Sequence, residues 1–191
     1  HIGGDLEGVH VVRDLSDVDT MGPRFTEGAR VLIVGGGYIG LEAASVAAKL
    51  GLQVTLVEMG DRILQRVAAP QTSDFFRALH EAHGVTIREG VGLERLTGDT
   101  HVTGAELSDG TTLDVDFVIV GVGIGAATAL ADAAGIVNDN GIMTDSHGRT
   151  SAPHVWAAGD CASFPYRGGR IRLESVPNAI DKAELVAENI M

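Results

Sequence analysis

The clearest chemistry in this sequence lies in Gly35-Gly36-Gly37-Tyr38-Ile39-Gly40, between the apolar run ending at Val34 and Leu41. Gly35, Gly37 and Gly40 have the Gly-x-Gly-x-x-Gly spacing. In it the first glycine permits a tight turn, the second lets the backbone approach a pyrophosphate, and the third lets a helix pack closely on a strand. The helix that follows would turn free N–H groups and partial positive charge toward phosphates. Glu58 closes the next apolar run, about twenty residues on, where an acid accepts the hydroxyls of an adenosine ribose. A 2′-phosphate there would meet a like charge, a repulsion of ~1–4 kcal/mol at about 4 Å. Sites that take NADP usually place Arg beside this position. Here Met59 and Gly60 follow, and the first arginine is Arg62. The ligand expected from these residues is NAD(H).

Other reactive side chains are sparse. Cys161 is the single cysteine, so no intramolecular disulfide or cysteine-rich metal site can form. Of the seven histidines only His80 and His83 lie close together, and a surface pair is the plainer reading than a metal site. No metal, side-chain nucleophile or general base is expected.

The flanking elements fit this reading. Val31–Val34 and Val54–Val57 are continuous apolar runs, as strands buried on both faces of a parallel sheet require. Leu41–Leu50 reads as an alanine-rich helix stopped by Gly51. Pro70 precedes a helix over Thr72–His83, with Phe75, Phe76 and Leu79 on one face. Val85–Arg88 is the next strand. Leu93–Leu96, Val102–Leu107 and Thr111–Val115 form an antiparallel meander whose last turn is Ser108-Asp109-Gly110. Phe117–Val122 is a further buried strand and Ala126–Ala134 a short helix. Strands are expected at Ile142–Thr144 and Val155–Ala158, with Trp156 in the core, then a loop over 164–172 and a closing helix over Ala179–Ile190. Residues 1–29 read as loop, with a short helix near Leu15–Met21. The fold class is α/β, a Rossmann-like parallel sheet flanked by helices with an antiparallel β-meander.

Length and charge narrow the functions. A chain of 191 residues holds one full domain and part of a second. A net charge of −12 argues against a nucleic-acid partner, which needs a basic footprint. The apolar stretches are far too short to span a membrane, and no secretory leader pattern is present. A cytoplasmic protein is expected. The first residues do not read as a natural start, so a fragment is expected.

The runs VLIVGGGYIGLE (Val31–Glu42), Arg62–Gln65 with Arg66, FVIVGVGI (Phe117–Ile124) and TSAPHVWAAGDCA (Thr150–Ala162) occur in this order. Together they resemble the FAD-dependent pyridine nucleotide-disulfide oxidoreductase superfamily, and RLESVPNA (Arg172–Ala179) is similar to its ferredoxin/rubredoxin reductase branch. The resemblance implies an NAD-binding domain at 30–125 after a connector at 1–29, then a helix and hinge at 126–141. Residues 142–191 would be the C-terminal half of a partial second α/β domain that binds FAD. It implies that Asp160 binds the FAD ribityl chain, that Gly159 and Ala158 beside it allow close backbone approach, and that Val176 sits where the backbone touches the isoalloxazine edge. Glu42 would lie near the flavin–nicotinamide contact, Gly123 and Ile124 at the nicotinamide, and Arg66 on the NAD side. Ala126-Ala127 departs from the Pro-Asn of many relatives.

The implied activity is hydride transfer from NADH to FAD, with electrons passed on to a ferredoxin- or rubredoxin-like iron–sulfur protein. An NADH oxidase, a nitrite reductase flavin subunit or a monodehydroascorbate-type reductase shares the scaffold. Lacking an N-terminal FAD cradle, the chain by itself is expected to bind nucleotide without turnover. Strand Val155–Ala158, left as an open edge, would favour a homodimer through residues 142–191.

Overall fold

The computed structural model describes residues 3–191, which divide after Gly123 into two compact units. The first unit runs β1 (Val9–Val11), α1 (Leu15–Met21), β2 (Arg30–Val34), α2 (Tyr38–Lys49), β3 (Gln53–Glu58), α3 (Pro70–Ala82) and β4 (Thr86–Glu89). It continues through β5 (Leu93–Gly98), β6 (Val102–Leu107), β7 (Thr112–Asp114) and β8 (Phe117–Val120). The second holds α4 (Ala129–Ala133), β9 (Ile142–Met143), β10 (Ala162–Tyr166), β11 (Gly169–Ile171) and α5 (Val176–Ile190). Among the described residues no helix is long and apolar enough to cross a membrane.

The first unit is built on a five-stranded parallel sheet in the order β1-β8-β2-β3-β4. Alternate residues of its central strands feed two cores. Val31, Ile33, Val54, Leu56, Phe117 and Ile119 pack with Leu41, Ala44 and Ala47 of α2 and with Phe76 of α3. Leu32, Val34, Val57 and Val118 pack on the opposite face against Leu96, Val102, Ala105 and Leu107 of the β5-β6-β7 meander. Both faces are thus covered, which is why these strands read as unbroken apolar runs. Leu32 and Ile33 are fully buried, each contributing about 1.5–3 kcal/mol relative to exposure.

Several expectations need correction. Residues 9–11, read as loop, form β1, which pairs in parallel with β8 on the edge of the sheet. His10 at its centre breaks the apolar pattern, so the strand carries no local signal. Phe75 is largely exposed and only Phe76 of that face enters the core. His80 is not on the surface. It is buried, with ring nitrogens 2.8 Å from the Phe76 carbonyl and 3.1 Å from the Leu41 carbonyl, tying α3 to α2. Among the described residues no cluster of metal-ligating side chains exists.

In the second unit Val155–Ala158 is not a strand. Its only bridge is Trp156 to Arg149, and Trp156 is half-buried rather than core. The open edge on which strand exchange was expected is therefore not formed there. The segment read as a 164–172 loop is instead a hairpin, with Tyr166 paired to Gly169. Its two-residue turn has Arg167 at φ 47° and Gly168 at φ 82°. Two positive values are what a hairpin turn matched to strand twist requires, and an arginine gives no hint of one.

His10 also sets a pH dependence. Burial, and next the nearby Arg24 charge, hold its imidazole below the ordinary value. Its edge faces the Phe117 ring, and Nε2 is buried without a hydrogen-bond partner. The unfolded chain then binds a proton at His10 more readily than the fold does, so stability falls as pH drops below about 6.5. Asp116, held below the carboxylate range by hydrogen bonds from Arg30, loses its contribution only in more acid solution. Thermal midpoints are expected to decline as pH drops below about 6.5, and His10→Asn should flatten that slope. A variant with the parent's slope would assign the effect to other groups.

Candidate functional site

The three fingerprint glycines differ sharply in their surroundings. Gly35 follows β2 at φ 109°, and a Cβ on it would lie 2.5 Å from the Gly121 carbonyl oxygen at the end of β8. A Cβ on Gly40, in the first turn of α2, would lie 2.0 Å from the Gly35 carbonyl oxygen. These two close the strand–turn–helix packing. Gly37 is the opposite case. A Cβ there would meet nothing within 4 Å, so this position faces open space at the mouth of α2.

Gly37 is also the helix N-cap, and no side chain caps α2. The amides of its first turn are left for a ligand, as a phosphate cradle requires. Tyr38 and Glu42 are exposed one turn apart on the same helix, while Ile39 packs beside Gly121. A 12-residue helix running from this turn directs its positive end at the cradle.

Glu58 sits at the C-terminal end of β3 and is half-buried. One carboxylate oxygen accepts the Gly36 amide at 2.6 Å, and the other accepts the Gly60 amide at 2.7 Å. Each oxygen retains acceptor capacity for a ribose hydroxyl. The acid therefore ties the glycine loop to β3 as well as offering a polar edge. The Gly36 carbonyl in turn accepts the amide of Leu64 at 2.9 Å. Leu64 is buried at φ 55°, a strained position for a branched side chain. Leu64 and Ile63, whose methyl would lie 2.7 Å from a Cβ on Gly36, escaped the sequence reading, since neither residue type signals such a role.

The segment between β3 and α3 is pinned further along. Glu89 accepts the Ile63 amide at 2.7 Å while Arg77 grips the same carboxylate. Arg62 donates to the Ser73 hydroxyl at 2.6 Å and to the Gln65 carbonyl at 3.3 Å. The one arginine near Glu58 in sequence is thus turned inward. Arg66 is exposed, and its Nη1 lies 3.6 Å from where a Cβ on Gly123 would stand. Gly123 itself adopts φ 118°. Gly35, Glu58, Arg66, Gly121 and Gly123 thus gather at the carboxyl ends of β2, β3 and β8, where open α/β sheets bind ligands. A second cleft, lined by Arg24, Arg30, His101 and Asp116, opens at the other end of the strands.

In the second unit Gly159 turns the chain at φ 76° into exposed Asp160. One Asp160 oxygen accepts the amide of Ser175, the N-cap of α5, at 3.3 Å. Val176 begins that helix and is largely exposed. Gly159, Asp160 and Val176 therefore share one edge, although 16 positions part the outer two. Ile124, also exposed, starts this unit. Cys161 places its thiol 3.4 Å from the Ala158 carbonyl.

The parallel sheet and its glycine turn define an α/β protein of the dinucleotide-binding class. The chain belongs to the pyridine nucleotide-disulphide oxidoreductase family, whose model matches residues 1–183. The cofactors of this family and its ferredoxin-reductase members are NAD(H) and FAD. The chain is 46% identical to the 5,5′-dehydrodivanillate O-demethylase ferredoxin reductase subunit of Sphingobium sp., over 99% of this chain and 47% of that protein. Among solved structures, the covalent putidaredoxin reductase–putidaredoxin complex matches with a TM-score of 0.91 and 38% identity, covering 100% of this chain and 47% of that one. The ferredoxin reductase for the CYP199A2 system from Rhodopseudomonas palustris matches with a TM-score of 0.93 at 38% identity, over 98% and 47%. The chain spans about half the length of the relatives it matches.

Proposed function

We propose that this chain is the NADH-binding part, with half of the flavin site, of a reductase that passes electrons to a ferredoxin- or rubredoxin-like iron–sulfur protein. The observation that carries the reading is the open space at Gly37, at the uncapped start of α2, with the Glu58 carboxylate beside it. Gly35, Gly37, Tyr38, Ile39 and Gly40 hold the pyrophosphate through backbone amides, and Glu58 accepts the ribose hydroxyls. Glu42, Arg66, Gly123 and Ile124 line the path toward the nicotinamide. Asp160, Gly159 and Val176 supply an exposed acid and a helix start that suit a polyol chain and a polar ring edge. The bound cofactors supply hydride transfer from the nicotinamide and onward single-electron delivery. The chain's own residues bind, orient and set the local charge.

Arg62 supports NADH over NADPH, because its guanidinium is held by Ser73 and Gln65 and cannot turn to a 2′-phosphate without breaking both contacts. Titration of the chain with each nucleotide, followed by nucleotide fluorescence or calorimetry, should give tighter NADH binding by roughly ten-fold or more. Equal affinities would overturn the assignment of Glu58.

A further inference from the structure

We propose that Arg172 is the positioning residue of the Asp160 half-site, an inference that rests on the flavin reading above. Its side chain is only 9% exposed, unusual for an arginine in a short loop. The guanidinium reaches two segments distant in sequence and one neighbouring acid. Nη1 donates to the Asp160 carbonyl at 3.0 Å, Nε donates to the Asn140 side-chain oxygen at 3.3 Å, and Nη2 pairs with Glu174 at 2.7 Å.

The surrounding backbone is shaped to admit this side chain. Gly141 adopts φ 119°, and a Cβ on it would lie 2.9 Å from Arg172 Cδ and 2.7 Å from the Cys161 carbonyl oxygen. The Asn138–Gly141 turn, the Gly159-Asp160 turn and the approach to α5 therefore converge on one planar fork. Arg172 fixes the Asp160 backbone from one side, while the Ser175 amide at the head of α5 holds one carboxylate oxygen. The carboxylate is left exposed in one orientation, toward a hydroxyl-bearing ligand. Arg172 acts through these protein contacts, which occupy Nε, Nη1 and Nη2. A lysine would keep the charge but reach the three acceptors from a single point, without the fork.

The test compares Arg172→Lys, Glu174→Ala and Asp160→Asn. Flavin affinity is measured in the natural flavin-loaded protein that carries these residues, and the Ser175 amide resonance and thermal midpoint in the chain. Arg172→Lys is expected to weaken flavin binding roughly ten-fold, as loss of a residue that orients a ligand-binding group does. It should also move the Ser175 resonance and lower the midpoint little. Glu174 is exposed enough for its variant to fold, and removing this anchor should weaken flavin binding several-fold in the same direction. Wild-type flavin affinity in Arg172→Lys, or in Glu174→Ala if the lysine variant does not fold, overturns the proposal. So does a loss of affinity that only follows the midpoint while the Ser175 resonance stays in place. Asp160→Asn separates the two ideas: unchanged flavin affinity there removes the half-site reading, whatever Arg172 does.

Discussion

Gly37→Ala is expected to fold as the parent chain does and to lose most of its NADH affinity. The Gly37 backbone, at φ −81° and ψ −173°, is extended and open to any residue, and the added methyl would meet no protein atom. Its effect on the unfolded chain should stabilise the fold slightly, by about 0.4–1 kcal/mol. The methyl would instead stand where the pyrophosphate approaches α2. Overpacking of that kind costs about 1–3 kcal/mol, roughly 5- to 150-fold in affinity. Gly40→Ala should do the reverse, because its methyl would run into the Gly35 carbonyl and separate α2 from β2. It should lower the thermal midpoint before any ligand is added. Melting curves and NADH titrations on the two variants decide the matter. If Gly37→Ala binds NADH like the parent, the open space at α2 is not the pyrophosphate site.

Glu58→Ala should show two losses at once. It removes the acceptor of the Gly36 amide, in a buried residue, and of the Gly60 amide. An orphaned buried amide costs about 1–3 kcal/mol, so the midpoint should fall and the glycine loop should loosen. NADH should bind more weakly, by roughly ten-fold or more, as ribose hydroxyl bonds to a charged acceptor are lost. NADPH should lose less, because the repulsion at its 2′-phosphate goes with the carboxylate. The preference narrows from both sides. Glu58→Gln is the sharper probe. With the side chain held in the same orientation, its amide places an NH2 donor where one carboxylate oxygen stood, so either the Gly36 or the Gly60 N–H meets a donor and that contact is lost. Nucleotide titrations beside denaturant melts separate the effects. A variant of full stability with an unaltered NADH to NADPH ratio would show that Glu58 neither braces the loop nor reads the ribose.

Much of this was open to reading along the chain because its causes are local. Gly51 and Gly84 end α2 and α3 with positive φ, and Pro70 starts α3, as their residue types require. The apolar runs of β2, β3 and β8 signal burial on both faces. The Gly-x-Gly-x-x-Gly spacing, with an acid closing the next strand, locates the strand–turn–helix and the strand-end carboxylate beside it without coordinates. It could not say which of three consecutive glycines does what. That division depends on Gly121 behind Gly35, on Ile63 beside Gly36 and on empty space in front of Gly37.

What the sequence by itself determined is the set of groups whose roles follow from near neighbours: the strands, the helix stops, the glycine turn and the sign of the charge at its rim. Tertiary structure alone decided where distant residues meet. β1 exists because β8 offers it an edge, and Arg62 is withdrawn from the rim because Ser73 lies within reach. Arg172 meets the Asn140 side chain and the Asp160 carbonyl because two turns far from it in sequence present acceptors to one guanidinium. The physical reason is that apolar periodicity and turn chemistry are written residue by residue. A hydrogen bond across 12 or 32 positions leaves no local trace until the chain has closed on itself.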